Sequence, residues 1–425
     1  MDMYASGHLA YVSHDFSTWE HIPVTPEKIG FAPSAVYHNG SILLTASAYT
    51  SPSGKTDLYI ADTPLGPFKK LGAFRKSDGS ELSVCDPMLF SDDDGSLYLY
   101  FGGGNDGIYG VKLRDDDPTL LEGEPVNLFR YDPSHIWERN GDYHENDRIS
   151  WIEGGWMYKR NGIYYLVYCA PGTEYSSYSL GAYRSKNPLS GFVYQSNNPF
   201  LTNESSGKLI RGCGHGSVVD GPGDTIWAFY TVSIAQKHRF ERMVGMDELF
   251  IDENGNLASH GTTEIPRPAP GYTQEFIRVL PLTVRKPVFS TGERPGGEAV
   301  NATEENLFCR WLPEENDPHP SLTVELNREY RLFSARLIFS DEGLNYAEGF
   351  PIPVRRFLIE ARSAEKGCWV VVADKSQNTT ENMIEYLEFS ADKQILADAV
   401  RLTLFPDLQG RIHTGVRNFT VFGTP

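Results

Sequence analysis

Apolar and polar positions alternate along most of this chain in short runs broken by Gly, Asn, Asp and Pro, which is the period of strands. Four stretches repeat one layout: FAPSAVYHNGSILLTAS from Phe31, CDPMLFSDDDGSLYLYFG from Cys85, IEGGWMYKRNGIYYLVYCA from Ile152 and GHGSVVDGPGDTIWAFYT from Gly214. Each reads as a short apolar strand, a tight turn, and a strand rich in Tyr, Leu and Ile. The turns NG, DDDG and NG supply the positive φ that two-residue hairpins require. The starts fall 54, 67 and 62 residues apart. Repeated four-stranded units of roughly 40–50 residues mark a β-propeller, and the longer spacing leaves room for loops.

A second strand pair follows each hairpin, as in DLYIADTPLGPF and GAYRSKNPLSGF. GHLAYVSHDFSTWE, near the start, has the same outer-half layout, so the pattern predicts a first blade whose front half is absent. EFIRVLPLTV, near residues 275–284, reads as a strand that returns to close the ring or patch that blade. STGERPGGEA then reads as a linker. Beyond it, NLFCRWLPEENDPHPSLTVEL, RLFSARLIFS, RRFLIEARS, CWVVVAD and AVRLTLFP are alternating strands at the spacing of a β-sandwich. The predicted fold is all-β: a five-bladed β-propeller with an incomplete first blade over residues 1–285, then a jelly-roll β-sandwich over 286–425.

Charge and cysteine content narrow the partners. A formal charge of −18 argues against nucleic acid and anionic membranes, and fits a neutral or cationic ligand. Five cysteines without a CxxC spacing argue against a disulfide framework and a zinc site. Cys309 and Cys368 could pair, but buried thiols are the expectation. No apolar run is long enough for a bilayer, and no basic-then-apolar leader opens the chain. The protein is expected in the cytoplasm if Met1 is the true start, and outside it if a signal segment lies upstream. An oligomer, with a partner chain covering the open first blade, is compatible with this pattern.

Inner-strand starts of a propeller converge on one pocket. The repeat puts Asp86, Glu153 and His215 at such starts, and packing alone poorly explains three ionisable residues there. Paired carboxylates across a pocket are the apparatus of glycoside hydrolysis, and a buried Glu gains the raised pKa of a general acid. Trp151, Trp156 and Phe31 can stack on a sugar face, although aromatic core packing competes for each. Phe31, Trp156, Arg211 and His215 form the expected substrate-binding set. DDDG at Asp92–Gly95 lacks the ligand spacing of a calcium loop and reads as a hairpin turn.

The stretches FAPSAVYHNG, CDPMLFSDDDGSLYLY, WIEGGWMYKRNGIYYLVYCAPGTE, NPLSGF, GHGSVV and HRFERMVGMDELFIDENGNL resemble glycoside hydrolase family 43, in order, over about Gly7 to Leu257. The resemblance implies a five-bladed propeller and an inverting, exo-acting α-L-arabinofuranosidase or β-xylosidase on plant oligo- or polysaccharides. By the match, Glu153 is the general acid, and Asp86 tunes its pKa and orients substrate. His215 matches a histidine near the channel axis that often contacts a bound calcium, which implies one structural calcium and no cofactor for the chemistry. The family's general-base Asp lies in an Asp-Pro motif on the inner strand of the first blade. No residue here matches it, and Asp2, in MDMY, is outside the motif. A non-catalytic carbohydrate-binding protein derived from such an enzyme is the alternative. The C-terminal stretches NLFCRWLPEENDPHPSLTVEL, RRFLIEARS, AVRLTLF and NFTVFG resemble the discoidin-like (F5/8 type C) β-sandwich family.

Overall fold

The computed structural model describes residues 2–4, 9–23, 29–48, 51, 53–203, 209–233, 242–267, 270, 279–341, 344, 353–363, 365–408, 410–411 and 415–425. Their regular structure is strands and short 3-10 turns. Among them, no helix is long and apolar enough to cross a membrane.

Four antiparallel four-stranded sheets follow one another along the chain. The first contains β4 (Ser34–His38), β5 (Ser41–Thr45), β6 (Asp57–Ala61) and β7 (Lys69–Ala73). The second contains β8 (Met88–Ser91), β9 (Leu97–Gly102), β10 (Ile108–Lys112) and β11 (Val126–Phe129). The third contains β12 (Glu153–Arg160), β13 (Ile163–Ala170), β14 (Ser179–Ser185) and β15 (Val193–Tyr194). The fourth contains β16 (Arg211–Gly221), β17 (Thr225–Ser233), β18 (Arg242–Ile251) and β19 (Leu257–Ser259). In each, the strands pair in chain order, and the leading strands of successive sheets pack side by side in a propeller arrangement. The local chemistry explains the hairpins. Asn39 and Gly40 have φ of 48° and 89°, and Asn161 and Gly162 have 52° and 74°, the left-handed pairs that a twisted two-residue turn needs. DDDG is a turn closed by the Gly95 N–H on the Asp92 carbonyl at 3.0 Å.

The opening segment holds more than the outer half expected. β1 (Asp2–Tyr4), β2 (Leu9–Val12) and β3 (Glu20–Pro23) form a three-stranded sheet. Asp2–Tyr4 pairs with Val12–Ala10, so a strand precedes the outer pair. The turn after β2 carries Phe16 and Trp19, which pack edge-on against Phe229 of β17 at 5.3 and 5.7 Å. The HDFSTWE turn is thereby seated on the fourth sheet.

Residues 280–424 supply an eight-stranded sheet. It contains β20 (Leu280–Pro281), β21 (Val288–Ser290), β22 (Ser321–Phe339), β23 (Arg356–Ser363), β24 (Trp369–Asp374), β25 (Ile384–Glu388), β26 (Leu396–Phe405) and β27 (Val416–Thr424). The long β22 pairs with β21 and β26 along its first half and with β25 and β27 along its second, across an irregularity between Glu325 and Tyr330. The expectation that residues 275–284 return to the ring is corrected for Leu280–Pro281, which pair with Gly423 and Phe422 of β27; residues 271–278 lie outside the described residues. Leu209, just ahead of β16, packs with Leu307 and Ile338, tying the fourth sheet to the C-terminal one.

Candidate active site

The four leading strands share a backbone device. Two residues before each settles into its ladder, one residue takes positive φ: Ala32 at 48°, Asp86 at 48°, Gly154 at 62° and His215 at 47°. A left-handed Ala, Asp or His costs on the order of 1 kcal/mol or more and persists where the surroundings hold it. In this frame Asp86 and His215 are true equivalents. Glu153 stands one residue earlier, level with Phe31, Cys85 and Gly214. The sequence expectation that Asp86, Glu153 and His215 share one position is therefore off by one at Glu153, because a glycine holds the strained position in the third sheet.

Asp86 is buried. Its N–H donates to Ser47 Oγ at 2.8 Å, and that hydroxyl donates to Asp86 Oδ1 at 3.0 Å. Asp86 Oδ2 accepts the Gly154 N–H at 3.3 Å and lies 4.0 Å from His215 Nδ1. Gly154 is required for this approach. A Cβ there would meet Cys169 Sγ at 2.8 Å and His215 Nδ1 at 3.4 Å.

Glu153 is buried, and both its oxygens are occupied. Oε1 accepts the Tyr178 hydroxyl at 2.6 Å, and Oε2 accepts the Trp151 indole N–H at 2.7 Å. Burial pushes its pKa above the usual carboxylate range. The Asp86 charge adds to the rise, while His215 and the bonds from Tyr178 and Trp151 oppose it. A carboxyl held this way keeps its proton closer to neutral pH, as a general acid must.

The other expected residues fall in different places. Phe31 is exposed, and its carbonyl accepts the N–H of Ser47, the partner of Asp86. Trp156 packs against two hydrophobic clusters and donates its indole N–H to Val218 O at 2.9 Å, at the seam between the third and fourth sheets. The Arg211 guanidinium lies 6.0 Å from the Phe308 ring centre, and burial lowers its pKa. Sequence reasoning missed Tyr178, Cys169 and Ser47, and placed Trp151 only as a neighbouring aromatic. Arg242 was also missed. It donates to the Thr173 carbonyl and to Ser233 Oγ, and feels the charge of Glu153. Of the HRFER run ahead of β18, residues 238–241 lie outside the described residues.

Among the described residues, the donors gathered at His215 do not make a calcium cage. His215, Glu153 and Cys169 each offer one atom within 4.8 Å of the others. Calcium takes six to eight oxygens. This set has one carboxylate, already doubly bonded, with an imidazole and a buried thiol whose pKa burial raises.

Comparison with known proteins bears on the family and the fold. The sequence pattern described as Glycosyl hydrolases family 43 matches residues 5–257. A β-D-galactofuranosidase of Aspergillus niger is 25% identical over 272 residues, 58% of this chain and 72% of that protein. A xylosidase/arabinosidase of Butyrivibrio fibrisolvens is 28% identical over 49% of this chain and 38% of its own length. A β-xylosidase of Xylanibacter ruminicola is 31% identical over 32% of this chain and 46% of its own length. The chain thus spans less than half of the latter two. Among solved structures, a thermostable family-43 glycoside hydrolase superposes with a TM-score of 0.50 at 25% identity, covering 63% of this chain and 89% of that one. A family 43 protein from Bacillus licheniformis gives 0.51 at 16% identity over 100% and 95%, a likeness of fold.

Proposed function

Since the chain belongs to glycosyl hydrolase family 43, we propose that it is an exo-acting, inverting glycosidase of the α-L-arabinofuranosidase or β-xylosidase type on plant oligo- or polysaccharides. Glu153 is the general acid, and Asp86 raises its pKa and orients the sugar. Phe31 and Trp151 offer exposed rings to a sugar face. His215 and Arg211 complete the substrate-facing set, and Trp156 packs behind it at the seam of the third and fourth sheets. His215 serves as a polar neighbour of the two carboxylates. The three-stranded opening sheet belongs to the first of five blades, and the residues from Leu280 onward form a discoidin-like sandwich.

The observation that carries this reading is the buried Glu153 carboxyl, held by Tyr178 and Trp151 beside Asp86. Relatives described as xylosidase/arabinosidase and β-xylosidase support the sugar class. The test is release of p-nitrophenol from aryl α-L-arabinofuranoside and β-xyloside. Turnover that vanishes in Glu153→Gln supports the reading, and turnover unchanged by that substitution sinks it.

A further inference from the structure

Glu153 rests on two donors of different kinds. The Trp151 indole N–H on Oε2 can only donate. The Tyr178 hydroxyl on Oε1 can donate or accept. That hydroxyl also lies 3.0 Å from Cys169 Sγ. The Cys169 thiol in turn donates to the Glu153 backbone carbonyl at 3.1 Å, so its proton is committed, and its sulfur can accept from the Tyr178 hydroxyl beside the His215 backbone N–H. Tyr178 therefore has one proton and two acceptors.

We propose that Tyr178 is a two-position proton switch for Glu153: its hydroxyl donates to Oε1 when the carboxyl is ionised, and turns to Cys169 Sγ while accepting the Oε1 proton when the carboxyl is protonated. No proton is gained or lost by Tyr178 or Cys169; only the hydroxyl bond rotates. The proton belongs on Oε1 because a protonated Oε2 would present a weak hydroxyl acceptor to the fixed indole donor. Tyr178 and Cys169 have no exposed surface. Gly214 lies against the tyrosine ring so closely that a Cβ there would come within 2.3 Å of it, so the hydroxyl turns while the ring stays. Among the described residues, Asp86 and Cys85 face Glu153 from the start of β8, Cys169 from β13, His215 from β16 and Arg242 from β18. These act through space or through backbone, and among the described residues only Tyr178 and Trp151 bond the carboxyl oxygens. Tyr178 is thus a positioning residue: as Glu153 gives up its proton, the returning hydroxyl steadies the new anion.

The catalytic consequence rests on Glu153 being the acid, whereas the switch itself is a property of the free protein. The test is a 13C NMR titration of protein labelled at the glutamate carboxyl carbon, with the Glu153 signal identified by its loss in Glu153→Gln. Tyr178→Phe is expected to raise the Glu153 midpoint by about one pH unit, since the anion loses a donor. Cys169→Ala is expected to lower it, since Tyr178 keeps Glu153 as its only acceptor of the two. Cys169→Ser restores an acceptor and the wild-type midpoint. Packing damage would move both variants the same way, so a common direction, or no movement, overturns the switch. Midpoints that move as stated in a protein without turnover would overturn the proposed function and leave the switch standing.

Discussion

Trp151 donates its indole N–H to Glu153 Oε2 at 2.7 Å while about half of the residue stays open to solvent. On the proposed function, one side chain therefore bonds the acid and offers its ring to the sugar. Trp151→Phe keeps the ring and removes the bond. That bond lowers the Glu153 pKa, so the variant's pKa rises. An acid works while protonated, so the high-pH limb of kcat/KM should move to higher pH with KM little changed. Trp151→Ala should show the same shift and a raised KM as well. A pH–rate series on both variants checks this.

Asp86→Asn should act in the opposite sense. The Asp86 charge raises the Glu153 pKa. Its removal lets Glu153 lose its proton at lower pH, and the high-pH limb should retreat downward. The amide also weakens the exchange with Ser47, so kcat should fall. Profiles of wild type and variant on one aryl glycoside measure both effects.

Gly154 is where backbone and site meet. At φ 62°, with Cys169 Sγ 2.8 Å from where a Cβ would sit, Gly154→Ala adds backbone strain and a clash. About 2–4 kcal/mol of lost stability is expected from the two together. Thermal melting should show it, and turnover should drop with the displaced His215 and Asp86.

The hairpins were legible because their turns carry their own chemistry. Asn39-Gly40 and Asn161-Gly162 could hardly be anything else, and Asp86 announced itself at the head of a repeat. Glu153 was found for a partly mistaken reason, since the frame it was assigned belongs to Gly154, and a glycine at positive φ leaves no side chain to align. Tyr178 was illegible for a different reason. It belongs to the turn before β14 and resembles any core tyrosine until the fold brings its hydroxyl to Glu153. Trp151 and Trp156 are the same residue type five positions apart. Local geometry alone sends one indole to the acid and the other to the Val218 carbonyl.

Asp92 shows how one hairpin turn joins two sheets. Its buried carboxylate, in the DDDG turn, accepts Lys159 Nζ at 2.5 Å and the Tyr164 hydroxyl at 2.6 Å, both from the third sheet. Lys159→Met removes the cation and leaves a buried anion, which costs about 3–5 kcal/mol. Denaturant unfolding should register that loss. Replacing both, with Asp92→Asn in the same chain, should recover part of it.

The central claim is that Glu153 gives a proton to the departing oxygen. The most direct measurement compares Glu153→Gln with wild type on two substrates of one sugar: a natural-type oligosaccharide, whose leaving oxygen needs the proton, and a dinitrophenyl glycoside, whose leaving group does not. The account predicts a loss of about 10²–10⁴-fold on the oligosaccharide and a far smaller loss on the dinitrophenyl glycoside. Equal losses on both, or none on the oligosaccharide, would contradict it.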